Sequence, residues 1–435
     1  MLIAVLPVAG SARTPGPPIM RTGAPVDGGL NCTACHRTAA ANSGPGRIAI
    51  QTSGYTPGVR QAVTVRIEDA AGLKWGFQLT ARLKSDETKQ AGTFAVNDFV
   101  QVLCAPDGRQ GPCSGDLEFA EHNAAGTRPG TPSPGVFTMD WTPPASDMGE
   151  IVFYAAGNAA NNGGTNAGDS IYTTSTVVRP ACNLTQKGVV SGGGDAGSFR
   201  PLITSDGLIS IFGSGFASAT GRYRAVQSDL VNAKVPTEFG CVAVEIGGQR
   251  APVFYVQNNQ INAQAPILSA SGDLDAVVIV NAGTSREMRS DPTKVRVGSY
   301  SPAWFTLNGK SIAAINASRE NAVVADPSVH PQGSPAKPGD VVTLFGTGFG
   351  YTDPVWQPGE FPTRSSPLRD PYTVTVGGVP LPAADILYAG VSTEAPGLYQ
   401  FNIRLSATLP DGDVPVVVRI GGVETQAGAT IPVKR

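Results

Sequence analysis

Cys32-Thr33-Ala34-Cys35-His36 is a C-x-x-C-H pentapeptide, the attachment signature of c-type haem. Two thiols three positions apart can both add to the vinyl groups of one porphyrin. The next residue then sits under the iron, which makes His36 the proximal ligand through an imidazole nitrogen. The chain has six Cys and three His in 435 residues, so the motif draws on scarce residue types. Other chemistries also use a C-x-x-C pair: a small disulfide, a redox dithiol, or half of a zinc site. Zinc needs four N or S ligands, and the sequence has no second C-x-x-C and no H-x-x-x-H. A thioredoxin-like dithiol wants a βαβ setting, and nothing around residue 32 reads as a helix. A plain Cys32–Cys35 disulfide with a bystander histidine stays open beside haem.

One haem c held by Cys32, Cys35 and His36 has a sixth iron position, which a second side chain fills in an electron carrier and which stays open in a haem enzyme. Only His122 and His330 remain, and His330 lies in the loop VHPQGSP in the other half of the chain. That leaves His122 as the distal candidate. It shares strand parity with Glu118 and Ala120, opposite Leu117 and Phe119, so the pattern puts it off the apolar face. Met139 and Met148 compete, although Met139 has the parity of Phe137 and Trp141 and reads as core. No G-x-S-x-G, H-E-x-x-H, Walker sequence or G-x-G-x-x-G is present. The GSGF and GTGF stretches lack a following helix and read as turns rather than phosphate loops.

The elements that must position these residues are strands. Gly (53) and Pro (36) make up a fifth of the chain, and charged residues only 15%. Both depart from globular averages in the direction of a turn-rich, all-β protein. Val63, Val65 and Ile67 alternate with polar residues, as do Phe77, Leu79, Ala81 and Leu83, and Phe137, Met139 and Trp141. Seven or eight such strands predict a β-sandwich after the Pro/Gly-rich lead-in at 13–31. A flexible linker is expected around SGGGDAGS at 191–198.

Beyond it the chain repeats. LISIFGSGFA at 208–217 matches VVTLFGTGFG at 341–350, VEIGG at 244–248 matches VTVGG at 374–378, and QINAQAP at 260–266 corresponds to QFNIRLS at 400–406. The fold expected is therefore three β-sandwich (Ig-like) domains in tandem, at 13–180, 181–298 and 299–435, the first carrying the haem motif. Residues 1–12 (MLIAVLPVAGSA) resemble a truncated signal peptide. Of the other cysteines, Cys104 and Cys113 flank a Pro/Gly loop that a disulfide would close. Cys182 and Cys241 would tie the linker to the next domain. Net charge is −2 with no basic stripe, which removes the electrostatic term for nucleic acid. No apolar run is long enough to span a membrane.

RTGAPVDGGLNCTACH, AEHN at 120–123, MDWTPP at 139–144, IVFYAAGNAANNGG and GDSIYT make residues 20–178 similar to a bacterial Reeler-like domain. That resemblance implies haem attachment through the C-x-x-C-H form, with His122 where a second axial ligand would come from. Residues 199–433, through FGTGFG, VTVGG and GLYQFNI, resemble the C-terminal Ig-like repeats of secreted acidobacterial proteins, which are similar to TIG domains. These readings together predict an exported mono-haem cytochrome at the cell surface, outside the cell or in the periplasm. Two axial imidazoles favour electron transfer over catalysis. The expected partners are a redox protein or neighbouring copies of the chain, in a homo-oligomer or filament. The competing expectation is a haem-free adhesion or structural protein with Cys32–Cys35 as a disulfide.

Overall fold

The computed structural model describes residues 15–219, 221–269 and 271–435, so the apolar stretch at 1–12 read as a signal peptide lies outside the described residues. The chain divides into two compact units, one ending at Ala181 and one running from Cys182 to Arg435. Both are built of β-sandwiches, and strand pairing is antiparallel except between Ile203–Thr204 and Thr293–Gly298. No helix among the described residues is long and apolar enough to cross a membrane.

In the first unit the strands are β1 (Arg47–Gln51), β2 (Gln61–Glu68), β3 (Lys74–Leu83), β4 (Asp86–Gln90), β5 (Thr93–Phe94) and β6 (Val100–Cys104). They continue as β7 (Arg109–Gln110), β8 (Glu118–His122), β9 (Gly135–Thr142), β10 (Ile151–Ala160) and β11 (Ser170–Val178). One sheet runs β1-β2-β9-β5. The other runs β11-β10-β3-β8-β6-β7, with β4 on the edge of β3. The period-2 apolar positions meet between them: Val63, Val65 and Ile67 of β2 pack with Phe77, Leu79 and Ala81 of β3 in one core. Trp141 and Phe153 meet edge-on there at 4.9 Å between ring centroids. Each large side chain removed from water in this layer contributes about 1.5–3 kcal/mol.

The polar positions of β3 are buried too. Gln78, Thr80 and Arg82 are all 0% exposed. The lead-in covers them: Arg21 N donates to Gln78 Oε1 at 2.5 Å, and Gln78 Nε2 donates to Pro18 O at 3.0 Å. Arg82 is held by Asp27 Oδ2 at 2.7 Å, by Thr80 Oγ1 and by Glu87 O, and lies over the Phe119 ring. The Pro/Gly stretch is thus a packed layer and not a free spacer.

The second unit has two cores, each between two sheets. The sequence repeat is a structural one. Leu208–Ser214 and Val341–Thr347 are equivalent strands, followed by Phe216 and Phe349, both fully buried. The G-G pairs at 247–248 and 377–378 form the turns between paired strands. The expected linker at 191–198 is corrected: Val189–Asp195 is a strand, paired with Leu208–Ser214 and bulged between Val190 and Gly192. Its glycines serve close approach rather than flexibility. A Cβ on Gly194 would stand 2.1 Å from Arg200 O, and one on Gly193 2.8 Å from the Ile211 side chain. Disulfides join Cys104 to Cys113 and Cys182 to Cys241, with Cα–Cα distances of 5.2 and 5.3 Å. Such bonds persist in oxidising compartments and mark an exported chain.

Candidate functional site

The C-x-x-C-H motif folds as one tight turn. A single 3-10 turn, Cys32–Ala34, stands where no helix was expected. It is capped by Asn31, whose Oδ1 accepts from Thr33 N at 2.9 Å. Cys32 O accepts from both Cys35 N (3.2 Å) and His36 N (3.0 Å). The turn therefore gathers both thiols and the imidazole into one corner. Asn166 Nδ2 pins it by donating to Cys35 O at 2.7 Å. Cys32 and Cys35 are free thiols. Burial pushes the Cys32 thiol up to about 12, so at neutral pH it is no thiolate nucleophile.

His36 is fixed from two sides. Its Nδ1 lies 2.7 Å from Asp169 Oδ2, and the Asp169 side chain is 1% exposed. The other carboxylate oxygen, Oδ1, accepts from Asn161 N at 3.2 Å. Asn158 Nδ2 sits 3.3 Å from His36 Nε2 and 3.4 Å from Nδ1.

His122 arrives from the middle of the sheet. Backbone pairing of β3 with β8 stops at Gln78↔Glu121. At the next step the His122 imidazole takes over: Nδ1 lies 3.0 Å from Phe77 N and 3.2 Å from Phe77 O. Phe77 can thus serve either tautomer, as donor to a bare Nδ1 or as acceptor from Nδ1–H; the second leaves the Nε2 lone pair free. The ring lies over Gly76, where a Cβ would stand 2.8 Å from Cε1, so only glycine leaves it room. Burial, aided by the charges of Lys74 and His36, lowers the His122 pKa to about 4, against a raising hydrogen bond from Phe77. The imidazole is neutral at physiological pH, the form that binds a metal.

The parity reading of His122 is corrected. Its cross-strand partner is Val100, and Ala120 and Val100 belong to the apolar core, whereas Phe119 faces Arg82 on the other side. All five residues of β8 are buried, because the lead-in covers its outer face, so alternation could not tell the two faces apart.

One cavity joins these groups. Cys32, Cys35, His36 and His122 all line it. Gly76 and Asn158, which touch the two histidines, are cross-strand partners on β3 and β10. The walls are Pro17 and Pro18 of the lead-in with Trp75, Phe77 and Ala160. Met139 is 1% exposed in the core and Met148 is on the surface; neither lines the cavity. His330 is in a loop of the second unit. Among the described residues no group of three or more His, Cys, Asp or Glu is placed to hold a bare metal ion.

The donor set fits haem c. Two thiols and one imidazole share a corner, a second neutral imidazole enters from the sheet, and the walls mix apolar Pro17, Pro18, Trp75 and Phe77 with polar Arg21, Lys74 and Asn162. Asn158 Oδ1 is buried without a hydrogen-bond partner, as suits a wall atom of a site that takes a ligand. Asp169 and Asn158 were missed by the sequence reading, although both lie in segments that carried the Reeler-like resemblance, GDSIYT and IVFYAAGNAANNGG. A carboxylate 133 residues from His36 gives no local signal; only the fold brings them together.

No family model and no curated protein matches the sequence. Solved structures match about a third of the chain. The Reelin-N domain of F-spondin is 17% identical over 34% of this chain and 96% of its own, with a TM-score of 0.22. The human F-spondin reeler domain is 14% identical over 34% and 97%, with a TM-score of 0.20. A type I cohesin from Pseudobacteroides cellulosolvens is 10% identical over 32% and 96%, with a TM-score of 0.21. These likenesses concern strand arrangement and transfer no residue of the cavity.

Proposed function

We propose that this chain is an exported mono-haem c-type cytochrome that carries electrons at or outside the cell surface or in the periplasm. The observation that carries the reading is the meeting of the C-x-x-C-H turn and His122 in one cavity, from 86 positions apart. Cys32 and Cys35 would hold one haem c by thioethers, with His36 proximal and His122 distal. When bound, the group supplies one-electron chemistry. The protein residues do the rest. Asp169 would hold His36 through Nδ1, Asn158 would give up its contact with Nε2 to the iron, Phe77 would hold His122, and the prolines of the lead-in with Trp75 would limit water. If His36 and His122 both held the iron, they would leave no place for a substrate on it, which supports a carrier rather than an enzyme. Its partner would be a redox protein or a neighbouring copy, in a homo-oligomer or filament.

Co-expression with a c-type maturation system tests this. A denaturing gel stained for haem should show colour in the band, with Cys32 and Cys35 both resistant to alkylation. Colour that survives in a Cys32→Ala, Cys35→Ala double variant, or a colourless wild type, rejects covalent haem. In the colourless case, a disulfide between Cys32 and Cys35 would favour the adhesion or structural protein.

A further inference from the structure

Among the described residues that line the cavity Asp169 is the one acidic side chain, and His36 is its side-chain partner there. Its Oδ2 lies 2.7 Å from His36 Nδ1. The carboxylate is nearly sealed from water at 1% exposure, and its Oδ1 is fixed by the backbone N–H of Asn161. Three features set this apart from a surface ion pair. Asp169 stands immediately before β11, at the end of the β10–β11 hairpin that also supplies Asn158. Asn166 from the same hairpin loop ties down the peptide carbonyl of Cys35. Gly168 N donates to Thr38 Oγ1 at 3.0 Å, just past the motif. The loop 161–169 is thus a clamp on the 32–38 turn, with the carboxylate as its working end.

A histidine bonded through Nδ1–H to a carboxylate can present only Nε2 to a metal, and its ring is more electron-rich than one bonded to a neutral acceptor. We propose that Asp169 is the positioning residue for His36, fixing its tautomer and setting a low reduction potential for the bound iron; this rests on the cytochrome reading above. The physical reason is charge. A buried anion one imidazole away stabilises the oxidised, more positive iron over the reduced one, and low solvent exposure leaves that effect poorly screened. Asp169 touches neither iron nor substrate and acts only through His36.

Midpoint potentials of loaded wild type, Asp169→Asn and Asp169→Glu provide the test. Asp169→Asn keeps the size and a hydrogen-bond acceptor but removes the charge. Its midpoint should rise by at least the equivalent of a tenfold change in the oxidised-to-reduced ratio, about 59 mV for a one-electron couple. Asp169→Glu should recover part of the difference. A loaded, low-spin Asp169→Asn protein with the wild-type midpoint overturns the inference and leaves the cytochrome reading intact. A wild type without covalent haem overturns both. Should Asp169→Asn fail to load, the ferrous His122→Ala protein reads the same contact by resonance Raman. Its iron–imidazole stretch should fall in the range of a strongly charge-donating imidazole, and a frequency typical of a neutral histidine overturns the assignment.

Discussion

His122 does at residue scale what a backbone amide normally does. Its Nδ1 meets the N–H and C=O of Phe77 where the β3–β8 ladder would otherwise continue. That placement fixes the ring and keeps its pKa near 4, since burial disfavours the charged form. In the loaded protein, His122→Ala should convert a six-coordinate, low-spin spectrum into a high-spin one that binds added imidazole or cyanide. An unchanged low-spin spectrum would assign the sixth position to another residue. Gly76→Ala acts in the same direction by a steric route. The new Cβ, 2.8 Å from Cε1, must push the ring aside. His122 was within reach of the sequence as one of three histidines; Gly76 was not, being one glycine among 53.

At the scale of elements, the lead-in was the segment least well read. Its composition suggested an extended tether, because Pro and Gly carry no hydrophobic period. The structure spends its backbone carbonyls and Asp27 on Gln78 and Arg82 of β3 and Gln101 of β6. Burying this polar face is tolerable because Gln78, Thr80, Arg82 and Glu121 are each partnered. Asp27→Ala would strand a fully buried Arg82, and losing one partner of a buried pair typically costs about 3–5 kcal/mol. Thr80 and Glu87 also hold the guanidinium, which places the expected loss near the lower figure. Thermal unfolding of the first unit, with faster proteolysis ahead of residue 32, would register it; an unchanged melting temperature would refute it. By contrast, the strands of the core were legible. The periods at 63–67, 77–83 and 137–141 place Val65, Leu79 and Phe137 where they are found. Alternation reports a sheet with one wet face, and it misplaced His122 on β8, where both faces are dry.

At the scale of the whole molecule, the internal repeat was the most legible feature, since each copy must bury its own FG-[ST]-GF turn. What the repeat could not reveal is how the two sandwiches of the second unit are joined. Asp206, in the left-handed region at φ +63°, accepts from Gln264 Nε2 at 2.7 Å. Gln264 Oε1 in turn accepts from Gly359 N of the other copy at 2.7 Å. Burial raises the Asp206 carboxyl to about 7, against a lowering hydrogen bond from Gln264. The folded form therefore keeps its proton where the unfolded chain, near 3.8, has lost it. Stability from this group is present below about pH 4 and falls as pH rises towards 7, by roughly 4 kcal/mol in all. Asp206→Asn removes the titration and suits a left-handed backbone. It should raise the melting temperature of the second unit at pH 8 and leave it nearly unchanged at pH 4. Equal shifts at both pH values would show that the carboxyl is not the cause.

The unequal reach of the two histidines sets a timetable. His36 is one peptide bond from Cys35 and needs only a turn to form, whereas His122 reaches the cavity only after β3 and β8 have paired and the lead-in has closed over them. Local contacts form early and distant strand pairings late. A haem fastened to the unfolded chain would therefore acquire its first imidazole almost at once and its second only on completion of the sandwich. Its colour would then serve as a built-in clock of folding: the switch from high-spin to low-spin iron would time the closing of the sheet, with no added probe.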